Sequence, residues 1–252
     1  AASRKASDLL PVLLDRDQSI LAFNERVFDW AARADVPLLE RLRYLCIVSS
    51  NLDEFFEVRV APHVTAAKTG DTKGIYSPAS LESLSAAVHQ LVMRQYALYN
   101  DVLSPSFAAQ GIRIVPHGER SVVQRRWVQE YFQKEVRPLL IPVGLDPAHP
   151  FPQVANKSLN FIVRLRGPDA FGRENEVAIV KVPRSLLRLV RLPDKVTPTG
   201  MCFVSLSSIV RAHLDDLFPG REVTEFSQFR VTRHSDMALD EEDVRKLRTA
   251  LR

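Results

Sequence analysis

Up to about residue 110 the apolar positions of this chain recur every three or four residues; past about residue 140 they begin to alternate. The first rhythm predicts helices and the second predicts strands. Asp15, with Gln18 three residues on, has the form of a capping box. Ile20, Phe23, Val27, Trp30 and Ala31 then make one apolar stripe over residues 19–34. Asp35 is placed to cap a second helix, with Pro37 in its first turn, where a missing N–H does no harm. Leu38, Leu39, Leu42, Leu45 and Cys46 carry that helix's stripe. A third start falls at Ser50-Asn51, with Asp53 and Glu54 beside the positive end of a helix dipole. After a polar loop at 69–78, Leu81, Leu84, Val88, Leu91, Val92, Leu98, Val102 and Leu103 keep helical spacing through one long helix. These patterns predict an all-α up-and-down bundle over residues 15–112, preceded by a disordered lead-in at 1–14 and ended by Gly111.

Another helix over 121–136 opens the second half, and Pro138 closes it. Pro142, Pro147, Pro150 and Pro152 make 141–156 a stiff, extended connection. From Ser158 to Arg166 the chain alternates as a strand, with Leu159, Phe161, Val163 and Leu165 on one face. Further strands are expected at 176–182, 202–206 and 222–232, with helical spacing from Leu206 until Pro219-Gly220 stops it. A last helix opens at Asp240 and reaches Arg252 with no stop signal. The expected second domain, 113–252, is therefore α+β, one antiparallel sheet with helices on one side, truncated at its C-terminal end.

Composition adds limits. Hydrophobic residues make up 46% and charged residues 25%, enough for an ordinary core without disulfides or metals. Cys46 and Cys202, far apart in apolar runs, read as two small buried hydrophobes in a reducing compartment, not as a disulfide or zinc framework. No run approaches the roughly 18 apolar residues that would cross a bilayer. Residues 1–118 carry 12 basic against 13 acidic side chains, whereas 119–252 carry 22 against 17. The second half is thus the better candidate to meet a polyanion. A nucleic-acid-binding reading rests on that surplus alone. The aromatic content of 8% shows no interleaved base-stacking pattern, so no nucleic acid is expected.

Three blocks carry a resemblance: Leu21-Ala-Phe-Asn-Glu-Arg-Val27, Pro37-Leu-Leu-Glu-Arg-Leu-Arg43 and Ser49-Ser-Asn-Leu-Asp-Glu-Phe-Phe-Glu-Val-Arg-Val-Ala61. In this order and spacing they resemble the N-terminal domain of the long, histidine-phosphorylating polyphosphate kinases. Asp146-Pro-Ala-His-Pro-Phe-Pro152, Asn156-Lys-Ser-Leu-Asn160, Lys181-Val-Pro183 and Phe229-Arg-Val-Thr-Arg233 resemble the family's middle, or head, domain. The likeness runs from Asp15 onward. It departs at Ile20, where the family usually has Trp, and a change of packing only is expected there.

The resemblance implies transfer of the terminal phosphate of ATP to polyphosphate, reversibly, through a phosphohistidine and with magnesium. It implies a cytoplasmic protein, with peripheral membrane association left open, and homo-oligomers formed through the head domain. The family's catalytic histidines lie in later domains, each with a Lys two residues on. None of the six histidines here, at 63, 89, 117, 149, 213 and 234, has that Lys, and there is no GxxxxGK[ST] loop. No catalytic residue and no metal ligand is therefore expected, and the isolated chain is expected to be inactive without the C-terminal catalytic domains.

Asn51 matches a family Asn that contacts ATP; from the residues alone it reads as a helix cap, and the two roles can coexist. Arg26, Arg41, Arg43 and Arg59 read as helix-surface partners of nearby acids, with Arg59 the best placed to reach phosphate. Arg184, Arg188 and Arg191 share a face if their segment is helical, which would suit polyphosphate; a solvated basic face is the plainer reading. His149 reads as a turn residue, and Tyr96 and Tyr99 as core-edge residues. The alternative to a kinase fragment is a stand-alone, non-catalytic binding or assembly module.

Overall fold

The computed structural model describes residues 15–70, 75–145, 151–168, 172, 176–197 and 199–235. The lead-in at 1–14, His149 and the helix expected from Asp240 lie outside them. The chain divides into two compact units, one running to Leu103 and taking in His234 and Ser235, the other Ser104–Arg233.

The first unit is helical. α1 (Arg16–Ala32) starts where the Asp15 carboxylate accepts from the N–H groups of Asp17 and Gln18. The reciprocal half of the expected box is absent, because the Gln18 amide donates to the Ser83 hydroxyl at 3.2 Å instead. α2 (Leu38–Val58) runs without a break through Ser50 and Asn51. Asn51 is therefore not a cap: no breaker precedes it, and the apolar face of α2 continues from Arg41 and Leu45 through Val48, Leu52 and Phe55. The helix ends at Arg59. α3 (Ala61–Thr69) follows and is closed by Gly70 in the left-handed conformation. α4 (Pro78–Ala97) begins with a reciprocal box between Ser77 and Ser80 and passes into π-helical turns over Leu98–Leu103. α1 packs on α2 and α4, and α3 packs on α4.

Which faces are buried differs from the sequence expectation. α1 buries Asp17, Leu21, Asn24, Phe28 and Ala31, not the stripe of Ile20, Phe23, Val27 and Trp30. Phe23 is 53% exposed and Trp30 46%. Leu39 and Cys46 of α2 also lie outside, so Cys46 is an exposed thiol and only Cys202 is buried. Arg41 is the reverse case. It is buried, and its guanidinium donates to the carbonyls of Ala31 and Ala32, which satisfies the last turn of α1.

The second unit holds α5 (Ser104–Ala109), β1 (Ile112–Ile114), α6 (Val122–Tyr131), β2 (Ile141–Gly144), β3 (Asn160–Arg166), β4 (Val177–Lys181), β5 (Leu189–Arg191), β6 (Met201–Ser205), α7 (Leu206–Ala212) and β7 (Glu222–Phe229). Its strands form two sheets where one was expected. The larger is antiparallel in the order β2-β4-β3-β7. The smaller has the order β1-β6-β5, with β1 parallel and β5 antiparallel to β6. Three-residue strands such as β1 and β5 are too short to declare themselves by alternation. On β3 the expected face holds: Phe161, Val163 and Leu165 are buried. They join Val128, Phe132 and Val136 from α6 and its extension, and Leu206, Ile209 and Val210 from α7, in one core.

Gly111 and Gly200, both at positive φ, meet where β1 and β6 begin, and the Met201 N–H donates to the Gly111 carbonyl at 2.7 Å. Near the same sheet Arg120 is buried and donates to the Ser208 hydroxyl, with no carboxylate partner among the described residues. His213 stacks on Phe132, with ring centroids 4.6 Å apart. Burial pushes the His213 imidazole below its ordinary range; Asp216 pulls it back up, and the positive charges of Arg120 and His117 add to the depression. A histidine depressed on folding binds fewer protons folded than unfolded. Its contribution is complete above about pH 6.5, the unfolded value, and is lost as pH falls through the folded one. Melting followed through Trp127 should therefore occur at lower temperature at pH 5 than at pH 7.5, and His213→Gln should flatten that difference.

Candidate functional site

A groove of about 330 Å³ runs between α1 and α2 in the first unit. Ile20 and Phe23, the apolar residues of α1 that the core leaves out, form part of its wall, with Asn51, Glu54, Arg16 and Arg59. Ile20, half-buried, is thus a residue of the groove wall. Phe23 lies under the Arg26 guanidinium, 5.7 Å from the ring centre.

The orientation of the Asn51 amide follows from a relay. The Asn24 NH2 group donates to the Val48 carbonyl at 3.1 Å, and a carbonyl can only accept. The Asn24 carboxamide oxygen must then point the other way, where it accepts from the Asn51 NH2 group at 3.0 Å. Asn51 therefore turns its NH2 side toward buried Asn24. Its carboxamide oxygen, which bonds no described residue, is left as an acceptor for the groove. Because Asn24 is 2% exposed, water does not compete for this arrangement.

Arg59 closes one end of the groove. Its Nε donates to Asp17 Oδ1 at 2.7 Å, and the ion pair raises the guanidinium above its ordinary value. Asp17 is itself buried and takes a second bond from His63 Nε2 at 3.0 Å; His63 Nδ1 lies 2.7 Å from the Ser80 hydroxyl. This Ser–His–Asp chain is built into the α4 cap, with Asp17 and His63 buried, and it holds Arg59 in place. Glu54 is the one acidic side chain lining the groove, and no cluster of histidine, cysteine and carboxylate among the described residues is arranged to hold a metal.

Arg184, Arg188 and Arg191 do not share a helical face. Their segment turns at 184–186 and becomes β5, so the spacing of four and three has no common side. Arg184 donates to the Asn156 carbonyl, and Arg191 pairs with Asp194 at 3.0 Å. Arg188 instead lines an open cleft of about 480 Å³ with Lys157 and Arg230, which sequence spacing could not have brought together.

No described helix is long and apolar enough to cross a membrane. Among known proteins, the family model for the polyphosphate kinase N-terminal domain matches residues 13–115, and that for the polyphosphate kinase middle domain matches 123–252. The polyphosphate kinase of Neisseria meningitidis serogroup B is 48% identical over 243 residues, covering 95% of this chain and 36% of the relative. That of Pseudomonas aeruginosa is 46% identical, with 95% and 35% covered. The crystal structure of the enzyme from Porphyromonas gingivalis superposes with a TM-score of 0.77 at 29% identity, covering 94% of this chain and 37% of that one. The chain spans about a third of the length of these relatives.

Proposed function

This chain belongs to the polyphosphate kinase family, and from that premise we propose that it forms the nucleotide-side wall of an enzyme that moves the terminal phosphate of ATP onto polyphosphate and back. The bond-making groups would come from other domains of such an enzyme. Phosphoryl transfer depends mostly on positioning and charge stabilisation, and positioning is what the α1–α2 groove can supply. Ile20 and Phe23 offer an apolar wall for a base. Arg16 and Arg59 offer guanidinium groups for phosphate oxygens. The observation that carries the reading is the fixed Asn51 amide. A carboxamide oxygen held outward accepts a hydrogen bond, and the exocyclic amine of adenine donates one, whereas guanine presents an oxygen at the same position. Assembly into homo-oligomers through the second unit and a cytoplasmic location belong to the same proposal.

The test is an NMR titration of the chain with ATP and GTP. The Asn51 and Asn24 side-chain amide signals should shift with ATP and less with GTP. Asn51→Ala should weaken ATP about tenfold, near the loss of one hydrogen bond in a desolvated site. Asn24→Leu, which frees the Asn51 amide to turn over, should lower the preference for ATP over GTP more than it lowers ATP binding itself. If these amides stay still at millimolar ATP, or if Asn51→Ala binds ATP unchanged, the groove is not the nucleotide wall.

A further inference from the structure

We infer that Glu54 reads the sugar in the α1–α2 groove: its carboxylate accepts from the 2′- and 3′-hydroxyls of a nucleotide, so that ribonucleotides bind in preference to 2′-deoxyribonucleotides. This role presupposes the nucleotide reading above and adds a choice of sugar to it.

Nothing in the fold accounts for Glu54. At the start of a helix it would complement the dipole, but α2 runs from Leu38 to Val58 and puts it near the negative end, which favours cations. The side chains three and four residues away along the helix are Ser50, Asn51, Glu57 and Val58, and none is basic. Among the described residues Glu54 has no ion pair and no hydrogen bond, although Arg16 and Arg59 line the same groove.

Its place in the groove supplies the reason. Three groups follow one another along the α2 wall: the outward oxygen of Asn51, the Glu54 carboxylate about 4.5 Å further along the helix, and Arg59 about 7 Å beyond that. Arg16 stands at the Arg59 end, because the adjacent Asp17 holds the Arg59 Nε. The wall therefore runs acceptor, acceptor, cation. A nucleoside triphosphate laid along it presents amine, hydroxyls and phosphate oxygens in the same order. Laid the other way, it would set phosphate oxygens against the Asn51 and Glu54 oxygens, which have no proton to give.

The chemistry of the middle position favours a sugar with two adjacent hydroxyls. An ionised carboxylate only accepts, and it accepts at two oxygens, so a vicinal diol satisfies both. Acidic side chains take ribose hydroxyls in this way in dinucleotide-binding folds. A 2′-deoxy sugar leaves one carboxylate oxygen without its donor. The same negative charge repels phosphate, which keeps the triphosphate at the Arg16 and Arg59 end.

Titration of the chain with ATP and with dATP, followed by NMR through the amide signals of the groove, tests this. The parent should bind ATP about fivefold more tightly than dATP, the effect of a hydrogen bond to a charged group reduced by the exposure of Glu54. Glu54→Ala should bring that ratio close to one. Asn51→Ala should weaken both nucleotides and leave the ratio as in the parent, because it removes the base contact alone. Glu54 is exposed and supports no neighbour, so Glu54→Ala should melt with the parent. Should it fold poorly, Glu54→Asp, which draws the carboxylate back by one methylene, should lower the same ratio. Equal binding of ATP and dATP by the parent, or a ratio that survives in Glu54→Ala, would overturn the sugar assignment and leave the nucleotide groove standing. So would a Glu54→Ala loss that appears only when magnesium is added and falls on ATP and dATP alike, the behaviour of a cation ligand. Groove signals that neither nucleotide moves would sink the nucleotide reading itself, and the role of Glu54 with it.

Discussion

Asp17→Ala is expected to cost the first unit about 3–5 kcal/mol of stability, the loss that follows when one partner of a buried ion pair is removed. Asp17 is 3% exposed and serves two cationic or protic neighbours at once: Arg59 on one oxygen and His63 on the other. Alanine would leave the buried His63 ring without its acceptor and the Arg59 guanidinium without its counter-charge. Such a loss is a large share of the total stability of an ordinary domain. Urea unfolding read through Trp30, in a Trp127→Phe background, isolates this unit. Asp17→Asn should fall between parent and alanine, since an amide can still accept one of the two bonds. An unchanged midpoint for Asp17→Ala would mean that the network is decorative.

The same residue fixes an acid limit. Burial alone would push its carboxyl upward, but the bonds and positive charge of His63 and Arg59 outweigh burial and hold it below the ordinary value. A carboxyl depressed on folding adds stability that is present above its unfolded value, about pH 3.9, and is lost as pH falls through the folded one. Acid unfolding of the first unit should therefore start earlier in Arg59→Gln than in the parent.

Gly200→Ala should destabilise the second unit by about 3 kcal/mol, combining a left-handed backbone penalty with overpacking. A Cβ at Gly200 would lie 2.3 Å from the Gly111 carbonyl oxygen, and the atom it meets is backbone, which has no rotamer to yield. Gly70→Ala is the control. It shares the positive φ, but nothing lies within 4 Å of the added carbon, so only the conformational cost of about 1 kcal/mol remains. Fluorescence of Trp127 in a Trp30→Phe background reports the Gly200 effect. A loss no larger than that of Gly70→Ala would show that β1 and β6 separate at little cost.

These two sites also show where the sequence was readable. Helices α1, α4 and α6 and strands β3, β4, β6 and β7 follow from periodicity, capping boxes and glycine stops, whereas α2 was read as two helices divided at Ser50. The buried face of α1 did not, because its inner stripe contains Asp17 and Asn24, which hydropathy assigns to solvent. Their burial is satisfied only by partners up to 46 residues away, such as His63, which no local pattern announces. Asn51 was legible as a residue of interest, yet its role as a cap was wrong, since α2 runs through it. The acceptor it presents depends on Asn24, 27 residues earlier. Arg188 was legible as a basic residue, but its companions Lys157 and Arg230 were not, because a sheet, not a helical repeat, gathers them.

The parallel pairing of β1 with β6 also sets an order of events during synthesis. Ile112 must wait for Met201, about 90 residues later, before its strand gains a neighbour. At ribosomal speeds of about 5–20 residues per second that is a delay of roughly 5 to 20 s. Throughout it the helices that precede Leu103 can form, while a short strand carrying Ile112 and Ile114 has yet to gain its partner. A nascent chain stalled before residue 200 should thus be held by chaperones, and one extended past Ser205 should be released from them.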